Sequence, residues 1–341
     1  MKTSTIILSR TDAIGDAVLT LPMAGVLRSL YPGCRILFLG RSYTEAVVAA
    51  CVHIDQFLNW DEWKALPPAE AARAMAATGA DTIVHVFPDK RIASLAKRAG
   101  LAQRIGTTNR LYHWLTCNRL VRLSRKNSQL HEAQLNLKLL VPLGAKEDYS
   151  LDEIGGLYAL TRLAPLPDSV AVLLDPKRFN LVLHPKSRGS AREWGLENFA
   201  ALIRLLPQDR FKIFISGTAA EGALMESLFS EFPFVTDLTG RLSLGELMSF
   251  LAKADGLIAA STGPLHLAAA LGIHALGIYP PIRPMHPGRW GPVGPRAEVF
   301  VRPGDCAACR KTTDCGCMRG IAPQLLNARL LSFLPPAPEK H

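Results

Sequence analysis

The sequence predicts an α/β protein built from two doubly wound, parallel-sheet domains, and three observations lead to this prediction. The chain has 341 residues, more than one typical core accommodates, so two domains of about 150 residues each are expected. Short apolar runs alternate with helical patterns in both halves, without hairpin signals between them. Prolines and glycines interrupt the regular pattern at 143–179, which marks the boundary.

The elements of the first half follow from the order of its apolar and helical segments. Strands are predicted at 5–8, 35–39, 81–87 and 103–105, each a short apolar run such as TIIL. Helices are predicted at 16–30, 43–51, 69–78 and 89–99. This repetition of strand and helix predicts a Rossmann-like domain over 1–165.

The second half repeats the arrangement. Strands are predicted at 181–183, 211–216, 234–236, 256–259 and 275–279, with helices at 196–206, 219–232, 244–254 and 265–271. A short helix at 323–334 follows an irregular stretch. We therefore expect a second Rossmann-like domain over 166–320, a closing helix and tail over 321–341, and a cleft between two facing domains.

The formal net charge of +10 indicates a polyanionic partner such as nucleic acid, an anionic membrane face or a phosphorylated substrate. The excess is concentrated at 89–126, where Asp89 is the only acid, although a solvated basic face is the simpler reading. Only Tyr112 and Trp114 interleave there, which argues against single-stranded nucleic acid. The cations are Lys90, Arg91, Lys97, Arg98, Arg104, Arg110, Arg119, Arg122, Arg125 and Lys126.

The expected location is the cytoplasm. No run approaches the roughly 20 apolar residues of a membrane span, and MKTSTIILSR has too short an apolar core for a signal peptide.

Four cysteines cluster as Cys306, Cys309, Cys315 and Cys317, which in a cytoplasmic protein favours a metal site over disulfides. Structural zinc or iron and reduced thiols in an ordered loop both stay open.

The stretch RTDAIGDAVLTLP joins the first predicted strand to the first helix and places Asp16 at the start of that helix. A helix cap explains such an aspartate. Ligand sites in open α/β sheets, however, lie outside the carboxyl ends of the strands. A carboxylate at this position can take a proton from a hydroxyl.

Two loops of the second half have the composition of a nucleotide site. HPKSRGSAREW places Lys186, Ser187 and Arg192 in a cationic, hydroxyl-rich loop, as expected of a diphosphate clamp, although accidental surface charge also gives this pattern. ISGTAAE places Glu221 one turn into a helix, where it can accept ribose hydroxyls or simply favour the helix dipole. Neither a Walker loop nor a GxGxxG fingerprint is present.

The stretch AASTGPLHLAAALG places Ser261, Thr262 and Gly263 between a buried strand and a helix. Proline at the first helical turn and a hydroxyl before it are typical of a helix start. The free N–H groups and partial positive charge of such an end favour phosphate.

These segments, in this order, resemble glycosyltransferase family 9, the ADP-heptose:lipopolysaccharide heptosyltransferases with the GT-B fold. The resemblance rests on GDAVLTLP, HEAQLNL, the HPKS and REW loop, and TGRLSLGELMSFLAKADGLIAASTGPLHLAAALG, and it spans nearly the whole chain. It implies an inverting transferase that binds an acceptor in the N-terminal domain and a nucleotide sugar in the C-terminal domain.

The resemblance also implies roles for single residues. Asp16 matches the general base and Arg192 a lysine that touches the phosphates. Glu221 matches a ribose-binding glutamate, Leu242 an apolar residue beside adenine, and the Ser261, Thr262 and Gly263 turn a phosphate site. Many members carry aspartate at Ser261 and glycine at Lys186, which leaves open a different donor or acceptor.

The leading expectation is transfer of a heptose from ADP-heptose to an anionic lipopolysaccharide core precursor at the cytoplasmic face of the inner membrane. The acceptor would meet Lys90, Arg91, Arg98, Arg104, Arg110 and Arg122. No DxD-type motif appears, so no catalytic metal or other cofactor is expected. The alternatives are another nucleotide sugar or a protein acceptor and, from a different class, a non-catalytic nucleotide- or nucleic-acid-binding protein.

Overall fold

A computed structural model describes residues 5–126, 128–304, 306 and 314–335, which fall into two compact units. Unit 1 runs to Ala164 and also takes in Val293–Pro295. Unit 2 comprises Pro165–Pro292 and the chain from Arg296 onward, including the closing helix. The first boundary between the units lies at 164/165, beside the domain boundary expected from the sequence. The contribution of Val293–Pro295 to unit 1 was not expected.

Each unit contains one six-stranded parallel sheet. The strands of unit 1 are β1 (Thr5–Ser9), β2 (Arg35–Gly40), β3 (Gln56–Asn59), β4 (Thr82–His85), β5 (Gln103–Thr107) and β6 (Arg119–Val121). Those of unit 2 are β7 (Phe179–His184), β8 (Phe211–Ile215), β9 (Thr236–Asp237), β10 (Gly256–Ala260), β11 (His274–Tyr279) and β12 (Ala297–Val301).

Helices connect the strands. In unit 1 they are α1 (Ile14–Val18), α2 (Leu21–Leu30), α3 (Glu45–Ala49), α4 (Trp60–Ala65), α5 (Pro68–Ala77), α6 (Lys90–Arg98), α7 (Leu111–Thr116), α8 (Glu132–Lys138) and α9 (Leu151–Gly155), with 3₁₀ turns at Ser42–Thr44 and Val141–Leu143. In unit 2 they are α10 (Asp168–Ala171), α11 (Leu196–Leu205), α12 (Ala219–Ala223), α13 (Glu226–Glu231), α14 (Leu244–Leu251), α15 (Gly263–Ala270), α16 (Pro287–Trp290), α17 (Gly316–Arg319) and α18 (Pro323–Leu331).

The two sheets have the same topology. Unit 1 has the order β3-β2-β1-β4-β5-β6, and unit 2 has β12-β11-β10-β7-β8-β9, which is the same arrangement counted from its own first strand. The order reverses between β1 and β4 in unit 1 and between β7 and β10 in unit 2. Ligands of open α/β sheets bind at such switch points, beyond the carboxyl ends of the strands.

The central strands are buried on both faces. All residues of β1, β4, β7 and β10 are buried, as expected for parallel strands covered by helices on both sides. The β-branched run Ile6–Ile7 in β1 is typical of such strands, since branched side chains pack well on a pleated surface.

The sequence analysis missed three strands, namely β3, β6 and β12. All three lie at sheet edges, where one side of the strand has no neighbour. Apart from Leu58 in β3, their residues are exposed or half-buried, so none of the three strands is buried throughout as the central strands are. Edge strands of this kind are short and polar, which is why the apolar pattern does not find them.

The predicted helix at 16–30 is two helices, α1 and α2. Pro22 is the second residue of α2, and its ring is incompatible with the carbonyl of a continuous preceding turn. The Thr20 hydroxyl donates to the Asp16 carbonyl (2.8 Å) at the break. The predicted helix at 219–232 is likewise interrupted, between α12 and α13. The first break ends α1 after little more than one turn, so Asp16 lies on a short, separate helix.

Candidate active site

The switch point of unit 1 carries Asp16, on the segment that follows β1. The chain leaves β1 at Ser9, and α1 begins at Ile14, so Asp16 lies in the first helical turn. Ala13 at the N-cap makes no side-chain hydrogen bond. The Asp16 side chain is 17% exposed. It is therefore accessible from solvent while mostly enclosed by protein.

Asp16 does not cap its helix; it pairs with Arg10. The Arg10 side chain is 3% exposed and contacts three carboxylates. Its Nη2 donates to Asp16, its Nε donates to Asp12 (2.6 Å), and its Nη1 donates to Glu132 (2.9 Å). A guanidinium has five N–H donors in a planar fork, which suits this arrangement. Arg10 therefore holds Asp16 from the side of the protein interior.

The third carboxylate comes from α8, far along the chain. Glu132 and Asn136 are four residues apart and so lie on one face of α8. Glu132, 1% exposed, accepts from Arg125 Nε as well as from Arg10 (both 2.9 Å). Asn136 accepts from Arg125 Nη2 (2.9 Å) and donates to the Leu19 carbonyl (3.1 Å). We call Arg10, Asp12, Asp16, Arg125 and Glu132 the Arg10 cluster.

A capping box fixes the start of α8 and with it the position of Glu132. His131 is the N-cap residue, and its Nδ1 accepts from the Ala133 N–H (3.2 Å). In return the Gln134 side chain accepts from the His131 N–H (2.9 Å). Reciprocal bonds of this kind satisfy the first free N–H groups of a helix. The segment HEAQLNL is thus a helix start that delivers one buried carboxylate.

The electrostatics of the Arg10 cluster make Asp16 more basic than an exposed aspartate. Burial raises the pKa of Asp16 to about 6, the Arg10 cation opposes the rise, and the negative charges of Asp12 and Glu132 add to it. Burial also raises the pKa of Asp12. Three carboxylates face two guanidinium groups, so one proton has a natural place among them. A half-buried carboxylate with a raised pKa, such as that of Asp16, is suited to proton transfer.

The loop after β7, at the switch point of unit 2, is organised by a glutamate that the sequence analysis did not single out. Glu193 forms an ion pair with Lys186 (2.5 Å). It also accepts from the Ser187 N–H (3.0 Å) and from the Ser187 hydroxyl (3.1 Å). Lys186 and Ser187 are thus brought together, and their polar groups contact Glu193 in this structure. Arg192 lies half-buried beside them in sequence.

Glu221 occupies a capping box and is buried. One of its carboxylate oxygens accepts from the Thr218 N–H (2.8 Å) and the Thr218 hydroxyl (2.9 Å). Glu221 therefore stabilises the start of α12, which is one of its two expected roles. The second carboxylate oxygen of Glu221 has no hydrogen bond within the described residues. Leu242 is half-buried just before α14. Both residues lie in unit 2.

The turn before α15, formed by Ser261, Thr262 and Gly263, follows β10 at the same switch point. Thr262 is the N-cap residue but makes no side-chain cap hydrogen bond. Within the described chain its buried Oγ1 has no hydrogen-bond partner. The first N–H groups of a helix also lack acceptors inside the helix. We call these three residues the α15 turn; it combines a buried hydroxyl with the start of a helix, the kind of position that favours phosphate.

The six predicted acceptor-binding cations lie on neighbouring elements of unit 1, but they are not equally available. Arg91 donates to the Leu66 carbonyl (2.6 Å) and lies over the Trp60 ring. Arg104 donates to the carbonyls of Thr116 and Leu101. Both support the fold. The remaining four are exposed: Lys90, Arg98, Arg110 and Arg122.

The cysteine prediction falls partly outside the described chain. Cys306, Cys315 and Cys317 pack against the core of unit 2, whereas Cys309 lies outside the described residues. No group of three or more His, Cys, Asp or Glu within the described residues could hold a metal ion. The described part of the site gives no support to the predicted structural zinc or iron.

Among the helices of the described residues, none has both the length and the apolar character of a membrane span.

The sequence analysis named Asp16 as a candidate site residue but did not name the residues of the Arg10 cluster that surround it. Arg10, Asp12 and Glu132 stand in motifs that were recognised, RTDAIGDAVLTLP and HEAQLNL. The sequence contains one indication of this cluster: Arg10 stands two residues before Asp12 and six before Asp16. In addition, Glu132 directly follows the helix cap His131. Neither could be used, because only the fold brings residues 10 and 132 together.

Comparison with known proteins identifies the family. The sequence profile of glycosyltransferase family 9 (heptosyltransferase) matches residues 72–317. A Haemophilus influenzae protein, itself only provisionally assigned as a glycosyltransferase, is 26% identical over 304 residues, covering 84% of this chain and 86% of that protein.

Solved structures of similar fold include two from E. coli. ADP-heptose LPS heptosyltransferase II has a TM-score of 0.74 at 15% identity, covering 96% of this chain and 98% of that one. Heptosyltransferase WaaC with ADP has a TM-score of 0.71 at 19% identity, covering 97% and 100%. At these identities the likeness establishes the fold, and it confirms the expected GT-B architecture.

Proposed function

The chain belongs to glycosyltransferase family 9, and from that premise we propose that it moves a heptose from ADP-heptose to an anionic lipopolysaccharide core precursor, with inversion. The observation that carries the proposal is the half-buried, Arg10-paired Asp16 at the switch point of unit 1. Its pKa of about 6 leaves it ionised yet basic near neutral pH. The similarity to heptosyltransferases, one of them with ADP, supports the choice of donor.

In the proposed reaction an acceptor hydroxyl oxygen attacks the anomeric carbon of the heptose. The bond from that carbon to the β-phosphate oxygen breaks, and ADP leaves with the electron pair. The hydroxyl proton passes to the Asp16 carboxylate. A general base of this kind contributes roughly 100- to 10,000-fold to the rate.

Unit 2 is proposed to stabilise the charge that grows on the leaving diphosphate. The N–H groups of the α15 turn, the Thr262 hydroxyl and the Arg192 cation are assigned to the phosphates. Lys186 and Ser187 are assigned to the same group, and binding would exchange their contacts with Glu193 for phosphate oxygens. Glu221 is assigned to the ribose and Leu242 to the adenine. No divalent ion is part of this scheme, so full activity in excess chelator is expected.

The acceptor is proposed to bind unit 1 through its exposed cations, at the cytoplasmic face of the inner membrane. Phosphates and carboxylates of a core precursor complement Lys90, Arg98, Arg110 and Arg122. Arg91 and Arg104 take part less directly, because their guanidinium groups already bond to carbonyls.

A nucleotide panel tests the donor. Thermal shifts are measured with ADP, UDP and GDP and then with their sugars, since specific binding raises the melting temperature. ADP and ADP-heptose should give the largest shifts, and mass spectrometry should show a heptose added to a core precursor. A preference for UDP would contradict the heptose assignment, and transfer to a protein instead of the precursor would contradict the acceptor.

A further inference from the structure

Helix α7 in unit 1 exposes an apolar face to solvent. Leu111 is 88% exposed, Trp114 59% and Leu115 74%. Their spacing of i, i+3 and i+4 places the three side chains on one side of the helix. We call them the α7 face. Single exposed apolar residues are ordinary, but three together on one turn and a half of helix are not.

The structure holds this face outward. His113, on the opposite side of α7, is buried, stacks on His85 with ring centroids 5.6 Å apart, and accepts from the Thr107 N–H (2.9 Å). At the end of α7, Lys97 Nζ donates to the Leu115 carbonyl (2.8 Å). These contacts anchor the helix on its inner side and leave the α7 face to solvent.

Trp114 is fixed although it is exposed. Its indole N–H donates to the Thr108 carbonyl (3.0 Å), so the ring has a set orientation. An aromatic ring with an apolar body and a satisfied polar tip is the kind of side chain found at the boundary between lipid and water. The face is therefore preorganised for an interface of that type.

Exposed cations occur at the start of α7 and on α6 and β6, which precede and follow it in the chain. Arg98 ends α6, Arg110 is the N-cap residue of α7, Arg119 begins β6, and Arg122 follows that strand. All four are exposed, and none forms an ion pair with any described residue. From Lys90 to Lys126 the sequence contains no acid. Apolar side chains among uncompensated cations complement a surface that is apolar inside and anionic outside.

We propose that the α7 face docks on an anionic lipid bilayer, with Leu111, Trp114 and Leu115 entering the interface and the neighbouring cations contacting headgroups. Apolar burial and attraction to anionic lipid add together at such sites. A stable protein interface engages about 20–30 residues a side, far more than this face offers. The inference deepens the proposed function, on which it rests for its purpose: a lipid-borne acceptor lies in such a bilayer.

The test is flotation of the full-length chain with vesicles of phosphatidylethanolamine and phosphatidylglycerol, and with vesicles of phosphatidylcholine alone. The wild type should bind the anionic vesicles, less so at high salt. A triple variant, Leu111→Ser with Trp114→Ser and Leu115→Ser, should bind them at least about 10-fold more weakly. A matched control replaces three exposed apolar residues of unit 2, Val172, Leu224 and Leu325, by serine and should bind as the wild type does.

A second readout follows the environment of the Trp114 side chain. Trp114 fluorescence should shift to the blue on anionic vesicles, and Trp114→Phe should abolish the shift while binding persists. Equal binding by the wild type and the triple variant, or equal binding to neutral vesicles, would overturn the proposal. A dimer in sedimentation that the triple variant loses would assign the face to a second copy instead.

Vesicle binding needs neither donor nor acceptor, so this test is separate from that of the proposed function. If no heptose transfer occurs but the triple variant still loses vesicle binding, the function fails and the docking surface stands. With a water-soluble, deacylated acceptor, the triple variant should transfer heptose as the wild type does. With the same acceptor in vesicles it should be slower.

Discussion

The segment around Asp16 and the α15 turn occupy switch points of sheets with the same topology, yet they are built differently. Asp16 is set among buried ions: Arg10 contacts Asp12, Asp16 and Glu132. The α15 turn has no charged member, and its buried Thr262 hydroxyl has no partner in the described chain. The same topology therefore carries a polar site held by ion pairs at one switch point and an uncharged helix start at the other.

The difference fits the two parts of the proposed reaction. A base must keep its geometry and pKa before substrate arrives, and neighbouring charges achieve this. The proposed phosphate site must bind and release an anion; helix N–H groups favour phosphate there, and its Lys186 cation is held by Glu193 in this structure. The predictions below test this contrast, from the largest expected effect to the smallest.

Removing the central cation should damage the Arg10 cluster most. Arg10→Met leaves buried carboxylates without their partner, so the free energy of unfolding should fall by about 3–5 kcal/mol. Urea titration measures this. Lys138 lies on α8, as Glu132 does, and forms an exposed ion pair with Asp148. Breaking this pair by Lys138→Met should lower the free energy of unfolding by no more than about 1 kcal/mol. Similar losses for the two variants would show that the cluster is not energetically special. If Arg10→Met does not fold, Arg10→Lys should fold with an intermediate loss.

Removing the charge of Asp16 should have the opposite effect on stability. The folded pKa of about 6 lies above that of an exposed aspartate, about 3.9. The folded state therefore binds the proton more tightly, and its stability falls as pH rises through this window. Asp16→Asn removes that cost, and at pH 8 it should stabilise the protein by up to roughly 3 kcal/mol.

At pH 4 the gain from Asp16→Asn should be small, because Asp16 is then protonated in the folded wild type. Melting temperatures at the two pH values check the sign. A variant that destabilises the protein at pH 8 would contradict the pKa assignment.

In unit 2, loss of a cation should affect the ligand more than the fold. Arg192→Ala should weaken ADP binding by about 10- to 150-fold, the equivalent of one charge-assisted hydrogen bond at about 1.5–3 kcal/mol. Arg192→Lys should retain most of the affinity, since charge is kept. Arg204→Ala, which removes an exposed cation paired with Glu231 in the same unit, is the control for calorimetry and should leave ADP affinity unchanged. Equal affinities for all four proteins would exclude Arg192 from the site.

The pH dependence of transfer should show an acid limb. Because Asp16 must be ionised to act as a base, kcat/KM should rise with pH through about 6 and then level off. Glu132→Gln removes a negative charge that raises the Asp16 pKa, so the limb should move to lower pH. An unmoved limb, in a variant that folds, would mean that another group controls it.

The smallest effect is expected at the Thr262 hydroxyl. Thr262→Val should leave the melting temperature of the free protein unchanged or slightly higher, since the Oγ1 has no hydrogen-bond partner among the described residues. ADP affinity should fall by roughly 2- to 10-fold, as one neutral hydrogen bond at about 0.5–1.5 kcal/mol implies. A destabilised variant with normal ADP affinity would assign the hydroxyl to the fold.

The sequence was sufficient for the elements with a strong local signal. The buried central strands, helices such as α5, α6, α11 and α14, and the start of α15 were found from apolar runs, helical spacing and cap residues, whereas short helices such as α4 and α7 were not predicted. The edge strands β3, β6 and β12 were not, because half-exposed edges have no such run. Asp16 was found by its position after a strand and by family resemblance.

Its neighbours illustrate what local patterns do not contain. Glu132 stands 122 residues from Arg10, and their contact follows from the packing of α8 rather than from any spacing. Glu193 was overlooked for a related reason, since a loop's charge count does not say which acid pairs with which cation. The exposed α7 face was also invisible, because Leu111 and Leu115 resemble core residues until the structure leaves them in solvent.

The most direct test of the central claim compares wild type and Asp16→Asn in single-turnover transfer from ADP-heptose, together with ADP binding to both. The account predicts unchanged ADP affinity, an intact fold and a transfer rate lower by roughly 100- to 10,000-fold. A folded Asp16→Asn variant that transfers heptose within a few-fold of the wild-type rate would contradict it.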